Sequence, residues 1–285
     1  KAGDFYTASD VHAVFGRLLC RQFEQMWRAM GSPHWLTIVE LGPGRGLCAE
    51  DLIAWAGKKY GEFAGAMRYS LVEASASLRD RLRRRFEAEI VAERVAVFER
   101  MEEAFACTAE NVIVFANEFF DALPTEVLDA RGEVRVDVLD GEFVETFAPA
   151  TPEVRAFVEK YAVQPEQGER VDAPLLAHEY MERIAGLVAG KCGYCLFVDY
   201  GYVRQEMFAR RHLGTVTSFR RHTIADSPYH SPGEQDITVH VNFTALADAA
   251  RQHGLDPLAW ITQAQFLLGI GEASQFAEAF GECWL

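Results

Sequence analysis

The chain has 285 residues, of which 49% are hydrophobic and 25% are charged, and its formal net charge is −14 at pH 7. A chain of this length can bury a substantial core, and no apolar stretch approaches the length that spans a bilayer. The acidic balance argues against a nucleic-acid-binding surface that is basic throughout, and it favours a basic protein substrate.

Apolar periodicity predicts helices and strands that alternate along the chain. Helices are expected at residues 11–30, 47–55, 78–90 and 243–254, and core strands at residues 38–41, 69–72, 95–98, 111–116 and 194–200. Residues 127–139 are expected to form a hairpin, residues 151–190 to be mostly helical, and residues 201–235 to be a long polar loop. This alternation predicts an α/β fold with a doubly wound, mostly parallel sheet and a helical insertion.

The most informative segment is residues 38–46, in which an apolar strand containing Glu40 runs into a glycine-rich turn. The turn residues are Gly42, Pro43, Gly44 and Gly46. Glycines permit positive φ and leave room for a ligand, and the following helix offers N–H groups at its N-terminus. A dinucleotide-binding turn needs a small residue where Leu47 stands, and a carboxylate at Glu40 would face a pyrophosphate unfavourably. The pattern instead favours the amino-acid end of S-adenosylmethionine, and so a methyltransferase.

Ligands of doubly wound folds bind beyond the carboxyl ends of the strands, and the sequence places acidic residues there. Glu73 follows the second strand and is expected to bind ribose hydroxyls, although a solvated loop carboxylate is the alternative. The fourth strand runs into Asn117-Glu118-Phe119-Phe120-Asp121-Ala122-Leu123-Pro124, and the fifth into Asp199-Tyr200-Gly201. Two carboxylates, an amide and two aromatic rings are an unusual composition for a plain turn, so we expect residues 117–124 to be functional.

The six cysteines are scattered, which is not a disulfide framework for a chain of this length. Cys192 and Cys195 have C-x-x-C spacing, but a redox pair of the thioredoxin type follows a strand and opens a helix. This pair instead precedes a strand, so we interpret both cysteines as structural or incidental. The spacing of His222, His230 and His240 matches no zinc pattern, and no metal site is predicted.

Several segments together carry a resemblance to a known family. They are Gly3-Asp4-Phe5-Tyr6-Thr7, Phe15-Gly16, Glu40–Gly46, Asn117–Pro124, Asp199-Tyr200-Gly201 and Pro232-Gly233-Glu234-Gln235-Asp236-Ile237-Thr238. In this order, over nearly the whole chain, they resemble the MidA family, which contains the mitochondrial complex I assembly-factor methyltransferase and bacterial relatives. The family has further residues at both ends and this chain begins at Lys1, so we expect truncated termini.

The resemblance implies a class I S-adenosylmethionine-dependent methyltransferase with S-adenosyl-L-methionine as its cofactor. It also implies methylation of a protein arginine in a respiratory-complex subunit, in the cytoplasm of a bacterium or the mitochondrial matrix of a eukaryote. By the same resemblance the segment that holds Asp4 and Thr7 folds over the cofactor, which is compatible with a role as an N-cap. The predicted cofactor-binding residues are Thr7, Glu40, Gly42, Pro43, Gly44, Gly46, Glu73 and Asn117.

The expected organisation has three regions. Residues 1–35 form an N-terminal helical segment that covers the cofactor, residues 36–140 and 191–285 form the Rossmann-like core, and residues 141–190 form a helical substrate cap. The polar residues Gln235, Asp236 and Thr238 are expected to line the substrate channel.

An arginine substrate must be held as a planar cation and must lose a proton, and carboxylates can do both. Glu118 and Asp121 are therefore the predicted catalytic residues, with Glu126 as a third candidate. Phe119 and Phe120 either wall the pocket and stack on the guanidinium or pack in the core. Asn117 is expected to contact the amino-acid part of the cofactor or the substrate.

Two other functions stay open. A nicotinamide-dependent oxidoreductase is disfavoured by Glu40 and Leu47, and a non-catalytic assembly factor would keep the fold and bind a respiratory-complex subunit. The expected partner is an arginine-bearing protein subunit, with no nucleic acid and no membrane span. The helical insertion is a candidate surface for a homodimer.

Overall fold

The structure, a computed structural model, describes residues 13–206, 213–220, 223–271 and 276. These residues fall into two compact units. Of the described residues, the unit that we call the parallel-sheet unit contains 13–117, 187–198, 258–271 and 276, and the antiparallel-sheet unit contains 118–186, 199–206, 213–220 and 223–257. Asp4 and Thr7, which the sequence placed near the cofactor, lie outside the described residues.

Strands and helices alternate along the chain. The strands are β1 Leu36–Leu41, β2 Met67–Val72, β3 Val95–Phe98, β4 Asn111–Asn117, β5 Glu126–Asp129, β6 Gly132–Leu139, β7 Glu142–Ala148, β8 Arg170–Ala173, β9 Cys192–Val198, β10 Gly201–Tyr202, β11 Thr217–Arg220, β12 Thr223–Ile224, β13 Asp236–Thr238 and β14 Val241–Asn242. The helices are α1 Val14–Ala29, α2 Leu47–Lys59, α3 Gly61–Ala66, α4 Ala76–Arg85, α5 Glu87–Val91, α6 Met101–Ala106, α7 Pro152–Tyr161, α8 Leu175–Val188, α9 Phe243–Arg251 and α10 Gln263–Gly271, and a 3-10 turn covers Arg204–Glu206.

The parallel-sheet unit is built on a sheet with the strand order β3-β2-β1-β4-β9, in which every neighbouring pair is parallel. All six residues of β1 are buried, as expected for a central strand that is covered on both faces. Helix α1 lies close to α2 because Gly16 has no side chain. A Cβ atom there would come within 2.7 Å of the Cβ of Asp51, so the glycine of the Phe15-Gly16 segment has a packing role.

The antiparallel-sheet unit contains a sheet with the strand order β7-β6-β5-β8. Helix α7 begins after Thr151, whose hydroxyl accepts a hydrogen bond from the N–H of Val154 at 3.3 Å, a regular N-cap. The apolar face of α7 is buried with residues of β5, β8 and α9. This cluster consists of Leu128, Val154, Phe157, Val158, Tyr161, Ala173 and Ala245.

Most predicted elements are present with small shifts of their ends. The predicted hairpin is formed by β5 and β6, which pair Asp129 with Gly132, and Asn242 caps α9 by accepting a hydrogen bond from Ala245 N–H at 3.1 Å. The predicted helix at residues 78–90 is wrong as one element, because it is divided into α4 and α5 at the buried Phe86. Strand β8 interrupts the predicted helical region 151–190, and β11 and β12 lie within the predicted loop 201–235.

The boundaries of the two compact units differ from the boundaries of the regions expected from the sequence. Strands β5 and β6, expected in the core, belong to the antiparallel sheet, where β6 pairs with β7 and β5 pairs with β8. Residues 199–206, 213–220 and 223–257 fall in the same unit. The cap function expected for residues 141–190 stays a prediction. Within the described ranges, no helix combines the length and the apolar character needed to cross a bilayer.

Candidate active site

The glycine turn joins β1 to α2. Gly42, Gly44 and Gly46 have φ values of 64°, 54° and 76°, a region that side chains disfavour. The N–H of Gly46 donates to the carbonyl of Pro43 at 2.8 Å. A Cβ at Gly46 would lie 2.6 Å from Cδ2 of Leu82, whereas a Cβ at Gly44 would meet no atom within 4 Å. Packing therefore requires a glycine at 46, and the backbone at 44 borders open space that a ligand can approach.

Glu40 lies on β1 and is only 3% exposed. Its Oε2 accepts a hydrogen bond of 2.8 Å from the hydroxyl of Tyr69 on β2. Burial raises the pKa of Glu40 to about 7, and the Tyr69 hydrogen bond opposes this rise. The side chain therefore titrates near neutral pH, and a bound cation would favour its charged form.

Glu73 follows the last residue of β2 and is buried rather than solvated. Its Oε1 accepts a hydrogen bond of 2.9 Å from the N–H of Ser75, just before α4. One carboxylate oxygen thus helps to shape the turn, and ribose binding by this residue stays a prediction.

Asn117 is the last residue of β4, and its Oδ1 is buried without a hydrogen-bond partner among the described residues. The sheet register pairs Leu41 with Val72 on one side and with Ala116 on the other. The glycine turn, Glu73 and Asn117 therefore lie at the carboxyl ends of three adjacent strands, at one edge of the sheet. An unsatisfied buried oxygen at this edge is where a donor group of a ligand would be favourable.

The predicted catalytic residue Asp121 lies in the antiparallel-sheet unit, where Asp199 is its electrostatic neighbour. Asp121 is 1% exposed, and neither of its carboxylate oxygens accepts a hydrogen bond of normal geometry from the described residues. Burial raises the pKa of both carboxyl groups, and the charge of Asp121 adds to the rise at Asp199. Such a pair holds a proton more readily than separate carboxylates do.

Asp199 is held by backbone N–H groups. Its Oδ2 accepts hydrogen bonds from Phe119 at 3.2 Å, Phe120 at 2.8 Å and Asp121 at 3.4 Å, and its Oδ1 accepts one from Tyr200 at 2.9 Å. These donors favour the charged form of Asp199, and they oppose the rise of its pKa that burial and the charge of Asp121 cause.

Glu118, the other predicted catalytic residue, has a φ of 50°. This left-handed conformation is unfavourable for a side chain with a Cβ, and strain of this kind is enriched at functional sites. The conformation is shared by Ser32, Glu93, Asp140 and Ser231. It therefore supports the role of Glu118 only together with the neighbouring carboxylates. The charge of Glu118 is also the largest cause of a raised pKa at Tyr200.

The two predicted aromatic residues have different environments. Phe120 is buried, whereas Phe119 is half-buried, and their ring centroids lie 5.3 Å apart in an edge arrangement. Phe119 also meets the ring of Tyr180 on α8 at 5.5 Å. Phe120 is therefore a core residue.

Residues that directly follow the segment expected to line the substrate channel are hydrogen-bonded to Asp121 and Tyr200. The N–H of Val239 donates to the carbonyl of Asp121 at 2.9 Å, and that of Val241 donates to the carbonyl of Tyr200 at 2.8 Å. Gln235 instead donates to the carbonyl of Ser227 at 3.1 Å. The third acidic candidate, Glu126 on β5, has a buried Oε2 without a hydrogen-bond partner in the described part of the chain.

The sequence singled out Asp199 at the end of a strand but assigned it no role. The signal was the one that identified Glu73, namely an acidic residue directly after a buried parallel strand. Cys192 and Cys195 lie within β9 as free thiols, and burial raises the pKa of Cys195 to about 12, which makes a redox pair unfavourable.

The strand order, the glycine turn after β1 and the polar residues that follow β1, β2 and β4 define a Rossmann-like α/β fold of the class I methyltransferase type. A family model described as "Putative S-adenosyl-L-methionine-dependent methyltransferase" matches residues 18–261. The chain belongs to this family, which confirms the predicted resemblance to the MidA family.

Animal proteins with curated names are similar to this chain. The chain is 26% identical over 290 residues to the Xenopus tropicalis protein named protein arginine methyltransferase NDUFAF7, mitochondrial. The match covers 94% of this chain and 65% of the relative. The chain is 29% identical over 282 residues to the Drosophila melanogaster homolog, with 89% of this chain and 61% of the relative covered. The chain therefore spans less than two thirds of the length of these relatives.

Solved structures agree with the fold. A protein from Burkholderia thailandensis bound to S-adenosyl-homocysteine gives a TM-score of 0.78 at 26% identity, covering 96% of this chain and 69% of that chain. A native structure of a protein from the same organism gives a TM-score of 0.78 at 27% identity, covering 96% and 72%.

Proposed function

We propose that this chain is an S-adenosylmethionine-dependent methyltransferase that methylates an arginine side chain of a protein. The observation that carries the proposal is the carboxylate pair of Asp121 and Asp199, together with Glu118, on the segments that follow β4 and β9. The names of the NDUFAF7 relatives support protein arginine as the acceptor. The family assignment favours this function over a nicotinamide-dependent oxidoreductase.

The residues of the parallel-sheet unit fit the cofactor. The open space beside Gly44 permits close approach of a ligand to the backbone, and the unsatisfied Oδ1 of Asn117 can accept a hydrogen bond from an amino group. Glu40 would balance the positive charge of the amino-acid end, and Glu73 would bind ribose hydroxyls. Pro43 shapes the turn by accepting the Gly46 hydrogen bond.

When bound, S-adenosylmethionine supplies an electrophilic methyl group. The protein must therefore align the acceptor nitrogen and exclude water. Carboxylates bind a guanidinium through paired N–H···O contacts. Glu118 and Asp199 are suited to this, because Glu118 directly precedes the turn that Asp199 organises and the backbone N–H donors at Asp199 favour its charged form. Their task is to bind and orient the cation.

The acceptor nitrogen must also lose a proton as the new N–C bond forms. Asp121 is the better acceptor of this proton, because its oxygens lack the hydrogen bonds that stabilise the charge of Asp199. The proton passes from the guanidinium nitrogen to a carboxylate oxygen of Asp121 once the pair has released the proton that it shares at lower pH.

The test combines binding and transfer. Calorimetric titration with S-adenosylmethionine, S-adenosylhomocysteine and NAD is expected to show micromolar binding of the first two, about −8 kcal/mol, and none of NAD. A radiolabelled methyl group should then appear as methylarginine in a hypomethylated cell extract. Binding of NAD alone, or of none of the three compounds, would overturn the assignment as a methyltransferase.

A Glu118→Ala variant separates catalysis from an assembly role. Loss of methyl transfer with unchanged cofactor affinity would support catalysis. Label in another amino acid would keep the methyltransferase and exclude arginine. Cofactor binding without transfer to any protein would favour a non-catalytic assembly factor.

A further inference from the structure

Tyr200 combines a fixed backbone with an exposed ring. Its N–H donates to Oδ1 of Asp199 at 2.9 Å, and its carbonyl accepts a hydrogen bond from the N–H of Val241 at 2.8 Å. The residue is nevertheless 61% exposed. Its ring makes no side-chain hydrogen bond or ring contact with the described residues, so packing does not account for an aromatic residue here.

The same carboxylate that holds Tyr200 also holds the turn after Glu118. Oδ2 of Asp199 accepts the N–H groups of residues 119–121, so both segments are tied to one side chain. The charge of Glu118 acts on the phenol of Tyr200 and raises its pKa above the usual value. The ring is therefore a neutral phenol at physiological pH, beside at least one carboxylate.

An exposed aromatic face beside carboxylates has the two features that recognise a guanidinium. The carboxylates supply charge and hydrogen-bond acceptors, and the ring supplies a surface on which the flat cation stacks. An ammonium group is compact and strongly hydrated, so it gains less from the ring than a guanidinium does.

We propose that Tyr200 is a specificity-determining residue, whose ring stacks on the guanidinium of the substrate and so favours arginine over lysine. This inference rests on the proposed function, because it assumes an arginine acceptor. The phenol hydroxyl has no part in it, so Tyr200→Phe should retain the interaction and Tyr200→Leu should lose it.

The probes are N-acetyl-arginine methylamide and the corresponding lysine and citrulline compounds, titrated by NMR into the protein saturated with S-adenosylhomocysteine. Tyr200→Leu is expected to weaken arginine binding roughly two- to fivefold and to change lysine binding less. Tyr200→Phe should match the wild type. The control is Phe143→Leu, which removes another exposed ring from the same unit and should leave every affinity unchanged.

Three outcomes would overturn the inference: unchanged arginine binding in Tyr200→Leu, an equal loss in Tyr200→Phe, or an equal loss in Phe143→Leu. Binding of citrulline as tight as that of arginine would do the same, since that probe has no charge. A separate titration with S-adenosylhomocysteine alone tests the proposed function. Failure of S-adenosylhomocysteine to bind would refute the proposed function and, with it, the role of Tyr200 in an acceptor site. Binding of S-adenosylhomocysteine without binding of the arginine compound would refute only the role of Tyr200 and the arginine acceptor.

Discussion

The backbone N–H of Phe120 donates a hydrogen bond of 2.8 Å to Oδ2 of Asp199, 79 residues further along the chain. The neighbouring N–H groups of Phe119 and Asp121 point to the same oxygen. Because one carboxylate organises the whole turn, the position of Asp121 depends on Asp199. The two residues therefore form a structural as well as an electrostatic pair.

Replacement of Asp199 should affect stability and methyl transfer differently in two variants. Asp199→Ala leaves several N–H donors without an acceptor, and we expect a loss of about 2–3 kcal/mol in the free energy of unfolding. Asp199→Asn keeps an acceptor oxygen but removes the charge, so it should lose less stability and still lose most methyl transfer. Urea unfolding and initial rates measure the two effects.

The matched control is Asp137→Ala. Asp137 accepts a backbone hydrogen bond of 2.8 Å from Val138 at an exposed position, so its removal should cost under about 1 kcal/mol. Equal losses in Asp137→Ala and Asp199→Ala would contradict the organising role of Asp199.

Glu40 should make the stability of the cofactor-free protein depend on pH. Its pKa is raised from 4.5 to about 7 in the folded state, so the folded state binds more protons than the unfolded chain between these values. Stability therefore falls as pH rises through this window. Glu40→Gln should remove the dependence and be more stable than the wild type by up to about 3 kcal/mol at pH 8.

Urea unfolding at pH 4.5 and pH 8 checks this prediction. The two proteins should differ least at the lower pH, where Glu40 is protonated. The exposed Glu62 provides the control, and Glu62→Gln should leave the pH profile of the wild type in place. If Glu40→Gln does not alter the dependence of stability on pH, the pKa of Glu40 is not raised in the folded state.

Gly44 and Gly31 form a matched pair for the ligand-facing turn. Both have positive φ, 54° and 87°, and a Cβ at either position would meet no atom within 4 Å. Alanine at either site should cost about 1 kcal/mol of stability through backbone strain. Only Gly44→Ala should also weaken S-adenosylmethionine binding in calorimetry, and equal affinities in the two variants would place the cofactor elsewhere.

Asn117→Leu should leave the cofactor-free protein as stable as the wild type, or slightly more stable. The buried Oδ1 of Asn117 has no partner among the described residues, so an apolar side chain of similar size removes an unsatisfied group. Calorimetry should show cofactor or substrate affinity reduced about tenfold, as expected for one lost hydrogen bond to a charged group.

The contrasting variant is Asn242→Leu. Asn242 is buried and caps α9, so its replacement should cost about 1–2 kcal/mol without changing cofactor affinity. A destabilised Asn117→Leu variant with normal affinity would assign Asn117 a structural role instead.

Glu118→Gly should distinguish the backbone strain at this position from the role of its side chain in methyl transfer. The φ of 50° at Glu118 is unfavourable for a residue with a Cβ by about 1 kcal/mol, and glycine adopts it readily. We expect a small gain in thermal stability, offset in part by the greater freedom of glycine in the unfolded chain, and loss of methyl transfer. Retained transfer would remove Glu118 from the site.

Much of the candidate cofactor site could be predicted because its signals are local. Gly42, Gly44 and Gly46 have positive φ. Glycine is the residue type that adopts positive φ most readily, so the residue type alone indicates such positions. The acidic residues at strand ends were found for the same reason, since a buried strand is recognisable from its own apolar run.

The sequence alone therefore determined the parallel core, the glycine turn, the positions of Glu40, Glu73 and Asn117 at one sheet edge, and the methyltransferase family. The tertiary structure decided which carboxylates meet, which strands form the antiparallel sheet, and that Tyr200 is exposed. Asp121 and Asp199 are 78 residues apart, and contacts over such separations leave no periodic pattern in the chain. They arise only when the folded chain brings the N–H groups of residues 119–121 to Oδ2 of Asp199.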